Sequence, residues 1–270
     1  MTAQPRLIRF AQLEPAWTVK QATEPGFMRW LVSWMGGPPG FVNFNPGIAA
    51  DSDRTAMGFM AMPQGNRQAG LHKHGVTEIY VILKGEIEGF DHTGVPHRAG
   101  PMDCIYIPAG VPHGVRTLGT EDLHLVWVHD APERLGVSVY MDTAQHSDSN
   151  ERISVVRLKK QEPRWTRQGG ATRWQVGYVG SGPGEVDNPL VRLGATFIPS
   201  GNQDRLEPVS YARLFLCVGD RVVARSSQWT EPLAYLDAVH IPPSRSLTFW
   251  NSGNAPACVL WLEEQGRTAR

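Results

Sequence analysis

The sequence predicts an all-β chain assembled from two tandem copies of one unit. Short alternating runs rich in β-branched and aromatic residues recur between turns, and helical periodicity is scarce throughout. The 28 glycines and 21 prolines among 270 residues supply those turns. A repeat that runs through most of the chain then makes the unit occur twice.

In chain order, Met28–Trp34 and Ala56–Met62 read as strands, with a Gly/Pro/Asn loop at Gly36–Gly47 between them. Thr77–Glu86 (TEIYVILKGE) is apolar, aromatic and β-branched enough to be a strand. After a turn-rich patch at Asp91–Pro96 comes Asp103–Ile107, which ends at the corner Pro108-Ala109-Gly110-Val111-Pro112. Leu123–His129 is a further strand, and the polar Asp142–Arg152 (DTAQHSDSNER) reads as a linker. The linker divides the chain into an N-terminal domain, 1–145, and a C-terminal domain, 146–270.

Beyond the linker the chain repeats itself. Arg9-Phe-Ala-Gln-Leu-Glu14-Pro15-Ala-Trp17-Thr18 is echoed by Arg157-Leu-Lys-Lys-Gln-Glu162-Pro163-Arg-Trp165-Thr166. Arg29-Trp30 returns as Arg173-Trp174, and Pro63-x-Gly65-Asn66 as Pro199-x-Gly201-Asn202. From Gly85 onward one constant offset pairs Gly85 with Gly219, Asp103 with Asp237, Ile107-Pro108 with Ile241-Pro242 and Trp127 with Trp261. Chance likeness between β-rich segments does not sustain one register that far.

Composition narrows the function. A hydrophobic content of 41% is ample for a core, and Lys+Arg and Asp+Glu are both 26. That balance supports neither a nucleic-acid partner nor membrane binding. Apolar runs such as Ile79–Leu83 are too short to span a bilayer, and Met1–Arg9 lacks the apolar core of a signal peptide. Cys104, Cys217 and Cys258 lie in apolar strand-like runs and read as buried reduced thiols. A cytoplasmic protein is expected.

The chemistry concentrates between Gly70 and His113. His72 and His74 point to the same side of an extended segment, Glu78 follows at the start of a strand, and the Pro-rich corner delivers His113. With nine histidines in the chain, a chance His-x-His arises about 0.3 times, so that pair alone is a weak signal. Joined to Glu78, Gly85 and the Pro-x-Gly-x-x-His corner it is a strong one. Three imidazoles and a carboxylate, with no thiolate, leave coordination positions open on a first-row metal.

At these residues the sequence resembles a known family. His72-x-His74-x3-Glu78-x6-Gly85 resembles the first cupin motif and Pro108-x-Gly110-x-x-His113 the second. Two departures stand out: Pro101-Met102 separates Gly100 from Asp103, where the family usually has adjacent Gly-Asp, and Thr117 replaces a frequent asparagine. The resemblance implies two tandem cupin barrels of the double-stranded β-helix or jelly-roll type. It also implies one divalent transition metal per chain, held by His72, His74, Glu78 and His113. Fe2+ is favoured, with Mn2+, Zn2+, Ni2+ and Cu2+ compatible. In the second half the ligand positions fall on Leu206, Pro208, Ala212 and Leu247, so that barrel is degenerate.

Strand alternation places Tyr80 and Ile82 on the inward face with Glu78, has Val115 follow His113 inward, and lets Trp127 close the far wall. Tyr80 is a candidate proton donor beside Glu78. His92 and His97 are expected in solvent, His124 and His129 are candidates to stand behind the ligands, and His240 is expected to be structural. Such an apolar lining suits a small organic carbonyl or aromatic substrate. A non-haem dioxygenase is therefore the leading expectation, ahead of a Mn- or Zn-dependent isomerase or lyase and of a metal-holding binding protein. A homodimer through a sheet edge is expected, with the Trp-rich segment of Trp17, Trp30 and Trp34 as apolar cover and the N-terminal strand crossing to the other half.

Overall fold

The computed structural model describes residues 3–15, 26–27, 29–36, 45–68, 70–131, 139–141, 150–168 and 171–265. Trp17, Met28 and most of the expected linker lie outside them. Among the described residues there are only strands, turns and two short 3-10 turns, Phe10–Gln12 and Leu158–Lys160. No helix is long and apolar enough to cross a membrane.

The chain forms two compact units, Leu13–Lys160 and Met1–Gln12 with Gln161–Arg270. The expected boundary at 145/146 thus stands beside a junction at Lys160/Gln161 in the packed chain. Each unit is a pair of sheets closed around an apolar core, the two-layered barrel of a jelly roll. In the first unit one sheet has the order β12 (Ser154–Val156), β8 (Cys104–Ile107), β5 (Glu78–Lys84), β10 (Leu123–His129), β3 (Ala56–Met62), β2 (Trp30–Met35). The facing sheet is β11 (Val139–Met141), β4 (Leu71–Lys73), β9 (His113–Leu118), β6 (Glu86–Asp91), β7 (Pro96–Ala99).

The second unit repeats this plan. Its larger sheet runs β1 (Arg6–Ile8), β20 (Ala238–Ile241), β17 (Arg213–Cys217), β22 (Ala257–Glu264), β15 (Val191–Ile198), β14 (Ala171–Val179), β13 (Arg164–Gln168). The smaller sheet is β16 (Gln203–Leu206), β21 (Leu247–Asn251), β18 (Val222–Arg225), β19 (Thr230–Leu233).

Side chains from both sheets of a unit meet in its core. Tyr80, Ile82, Ile105 and Trp127 pack with Ile87 and Val115 in the first barrel, and Phe215 and Trp261 pack with Leu247 and Phe249 in the second. The inward positions expected for Tyr80, Ile82, Val115 and Trp127 are the observed ones. A glycine makes room for each tryptophan. A Cβ on Gly58 would lie 2.3 Å from the Trp127 ring, and one on Gly194 would lie 2.3 Å from the Trp261 ring. Cys104 and Cys217 are buried free thiols as expected, while Cys258 is only partly buried.

The opening strand of each half joins the barrel of the other. Ile8, Leu7 and Arg6 pair with Ala238, Val239 and His240, while Val156, Val155 and Ser154 pair with Cys104, Ile105 and Tyr106. The same clamp follows both strands. Asp237 accepts from Arg9 Nη1 at 2.8 Å and from the Phe10 amide at 2.9 Å. Asp103 accepts from Arg157 Nη1 at 2.7 Å and from the Leu158 amide at 3.1 Å. The repeated arginine and aspartate of the sequence are therefore two ends of one contact. The expectation that the N-terminal strand crosses to the other half holds for β1, which belongs with the second unit.

One sequence-derived equivalence needs correction. Along β5 and β10, Leu125 faces Ile82 but His124 faces Lys84, so Leu83 is an extra, bulged residue. In β17, Cys217 faces Val259 and the Val218 amide bonds the next carbonyl, Cys258, at 3.1 Å, with no such insertion. Glu78 pairs with Ile107 and Arg213 with Ile241. The counterpart of Glu78 is therefore Arg213 and not Ala212; a linear offset cannot register the bulge. His72 and His113, which pair across β4 and β9, do correspond to Leu206 and Leu247, which pair across β16 and β21.

Candidate metal centre

His72 lies in the short strand β4, His74 follows it, Glu78 opens β5 and His113 opens β9. The corner before His113 is held against the histidine loop by one bond, from the Gly110 amide to the His74 carbonyl at 2.8 Å. Gly110 has φ 78°, a left-handed conformation that a side chain disfavours, which is the physical content of the Pro-x-Gly-x-x-His pattern. At the other end, Asp130 accepts from the Thr77 amide at 3.0 Å and fixes where β5 begins.

These constraints bring four buried side chains together. One ligand atom from each of His72, His74, Glu78 and His113 lies within 4.8 Å of all the others. His113 Nδ1 donates to the Val111 carbonyl at 2.9 Å, so in a neutral ring Nε2 carries the lone pair. That Nε2 faces Glu78 Oε2 at 2.8 Å. Two lone pairs at that separation repel unless a positive charge lies with them, and a metal ion or a proton on the ring supplies it. His74 Nε2 is 3.3 Å from the same Oε2. The donor set and its burial fit a divalent cation.

Electrostatics keep His72 and Glu78 in ligating form. Burial, and then the charges of His113 and His74, hold His72 well below the usual imidazole range, so it stays neutral. Burial of Glu78 opposes ionisation, but the His74 charge and bonds from His113, His129 and His74 outweigh it and hold the carboxyl well below its ordinary value.

Tyr80 sits beside this cluster. Burial first and the Glu78 charge second push its phenol well above the ordinary value, so it keeps its proton, while Gln68 acts in the opposite direction. Gln68 is positioned by backbone, its Oε1 accepting from the Val115 amide at 3.1 Å and its own amide bonding the Val115 carbonyl at 2.9 Å.

Sequence reasoning missed Gln68 and Arg29. Arg29 is 6% exposed, its charge acts on both His72 and Tyr80, and its Nη1 is buried with no hydrogen-bond partner among the described residues. The signal available was its recurrence with Trp30 as Arg173-Trp174. His129 does stand behind the cluster, its Nε2 lying 3.4 Å from Glu78 Oε1. His124 does not; it packs edge-on against Phe59. His92 and His97, expected in solvent, are half-buried, and His97 Nε2 lies 3.3 Å from Asp91 because β7 folds back onto β6. His240 is a strand residue paired with Leu214 and Arg6.

Comparison with known proteins agrees with this architecture. Residues 58–129 match the cupin domain family. The dimethylsulfoniopropionate lyase DddQ of Ruegeria pomeroyi is 39% identical over 75 residues, which are 28% of this chain and 37% of that protein. The match thus spans little more than a third of that relative. Among solved structures, salicylate 1,2-dioxygenase from Pseudoaminobacter salicylatoxidans superposes with a TM-score of 0.66 at 15% identity, covering 97% of this chain and 82% of that one. Oxalate decarboxylase from Bacillus subtilis gives 0.66 at 15% identity, with 100% and 79% covered. AerE from Microcystis aeruginosa gives 0.63 at 12% identity, with 96% and 99% covered. Residues 58–129 thus match a cupin domain, and a second barrel of the same plan follows it in the chain.

Proposed function

We propose that the first barrel is a metal-dependent enzyme acting on a small organic carboxylate by proton-transfer chemistry of the lyase type. The observation that carries this reading is Tyr80, a buried, protonated phenol two residues along β5 from Glu78, beside the His72, His74, Glu78, His113 cluster. A divalent ion held by those four residues supplies Lewis acidity toward a substrate oxygen. Arg29 offers a charge-assisted bond that orients a substrate carboxylate. Tyr80 donates to the oxygen that gains charge when a proton leaves the adjacent carbon. Glu78 Oε1, facing His129 Nε2 at 3.4 Å, gives that proton a route away from the cluster. The segment likeness to DddQ supports a lyase, and the named substrates of the similar proteins include salicylate and oxalate, both carboxylates.

A second reading is the non-haem dioxygenase favoured by the sequence. The apolar wall of Ile82, Val115 and Trp127 beyond Tyr80 supports it, since such a wall suits an aromatic substrate. Iron belongs with this reading; a structure of the similar oxalate decarboxylase describes Mn(II) centres. Turnover of dimethylsulfoniopropionate, oxalate, salicylate and gentisate, measured with and without oxygen, separates the readings. Turnover unchanged under anaerobiosis supports the lyase. Oxygen consumed in proportion to product supports the dioxygenase, and a metal-loaded protein inert on every substrate overturns both.

A further inference from the structure

The second barrel lacks the metal ligands but is not a filled copy of the first. A cavity of about 410 Å³ opens into it, lined by Arg173, Arg192, Leu206, Arg213, Phe215 and Trp261 among others. Leu206 is the counterpart of His72, and Arg213 that of Glu78. Glu263, opposite Arg213 on β22, stands where His129 faces Glu78. The position that carries the negative charge of a cation site in one barrel therefore carries a positive charge in the other.

That charge shares its carboxylate. Arg213 is 4% exposed, its Nη2 donates to the carbonyls of Glu207 and Arg245 at 3.0 and 3.1 Å, Glu263 is the carboxylate that acts on it, and its Nε has no partner among the described residues. The other arginines around the cavity have carboxylates: Arg173 pairs with Asp204, Arg192 with Glu263 at 3.2 Å and Arg205 with Glu207 at 3.2 Å. Four guanidiniums thus face three carboxylates, and Arg213, the most buried of them, shares Glu263 with Arg192. A buried charge without a counter-ion is costly, so such groups are ordinarily paired.

The surroundings of Arg213 define what the partner looks like. Phe215 shares its strand face, with the guanidinium carbon 5.9 Å from the ring centroid. Trp261 pairs with Phe215 on the neighbouring strand, and the Arg192 guanidinium lies 5.8 Å from its ring. The Trp261 Nε1 is buried with no partner among the described residues, whereas Nε1 of its counterpart Trp127 donates to the Phe59 carbonyl at 3.3 Å. Arg213 and Trp261 therefore stand diagonally across the β17–β22 ladder, each with an N–H that has no partner among the described residues. A planar oxyanion suits the guanidinium edge, and one surplus charge matches a monoanion better than a phosphate dianion.

We propose that the second barrel is a metal-free binding site for a small monocarboxylate. Its carboxylate takes bonds from Arg213 and Trp261, and its apolar body lies against Phe215 and the Trp261 ring. This does not rest on the function proposed for the first barrel.

Calorimetric titration of the metal-loaded full chain with benzoate and 3-methylbutanoate tests the site, with benzamide and inorganic phosphate as controls. At least one of the two carboxylates binds, and both controls bind at least about tenfold more weakly, as expected where charge-assisted bonds carry recognition. Trp261→Phe and Arg213→Lys each weaken that binding at least about tenfold, and His113→Ala leaves it in place. If Arg213→Lys fails to fold by circular dichroism, Trp261→Phe decides alone. The proposal is overturned if neither carboxylate binds, if a control binds equally well, if binding survives Trp261→Phe undiminished, or if it is lost in His113→Ala.

Discussion

His113 Nε2 lies 2.8 Å from Glu78 Oε2 while its Nδ1 is committed to the Val111 carbonyl. A neutral imidazole held this way has only a lone pair to offer a carboxylate. A metal ion or a proton on the ring therefore belongs between the two groups, and the depressed Glu78 carboxyl is ionised to meet it. Metal analysis of protein purified without chelator should find about one divalent ion per chain, as four donors in one barrel and none in the other dictate. Glu78→Gln keeps size and hydrogen bonding but removes the charge; activity should fall by orders of magnitude with the fold intact. His113→Ala should lose metal more readily still. Two tightly held ions, or full metal and full turnover in Glu78→Gln, would contradict this assignment.

Tyr80 should matter for chemistry and not for metal. Tyr80→Phe keeps the ring that packs with Ile105 and Trp127 and deletes the hydroxyl that Glu78 and Gln68 act on. Turnover should drop by about a hundredfold or more, the range expected of a proton donor, with metal content unchanged. If turnover is kept, the tyrosine is a packing residue.

The reciprocal strands should hold through their aspartates. Asp103 and Asp237 each accept a guanidinium and a backbone amide. Asp237→Ala removes both bonds, and a loss of roughly 1–3 kcal/mol is expected for a charged hydrogen-bonded group. Thermal denaturation should register it as a fall of several degrees, and Asp103→Ala should behave alike. Unchanged melting in both variants would mean the strands dock without the clamp.

Assembly is testable by light scattering. β13 ends the larger sheet of the second unit and displays Trp165, 61% exposed, beside Trp174 at a ring distance of 6.2 Å. An unpaired sheet edge carrying an aromatic is a template for a second copy. A homodimer at micromolar concentration is expected, reduced to monomer by Trp165→Lys. A monomeric wild-type chain would refute it.

The cluster of His72, His74, Glu78 and His113 and the twofold plan are legible in the sequence because both are local or periodic. His72, His74 and Glu78 sit within one turn and two strand starts, and Pro108–His113 is a corner whose geometry its own prolines and glycine impose. Alternation along β5 likewise put Tyr80 and Ile82 on the inward face without reference to any other strand. What surrounds the ligands was decided by tertiary pairing. Gln68 reaches Tyr80 through Val115 on another strand, and His129 reaches Glu78 across the β5–β10 ladder. Both contacts depend on register, and register is a property of two strands. The bulge at Leu83 makes the same point most sharply. One inserted residue moves the counterpart of Glu78 from Ala212 to Arg213 and turns an apparently blank barrel into one with a buried positive charge. A strand's side chains alternate between faces, so a slip of one position exchanges inside for outside.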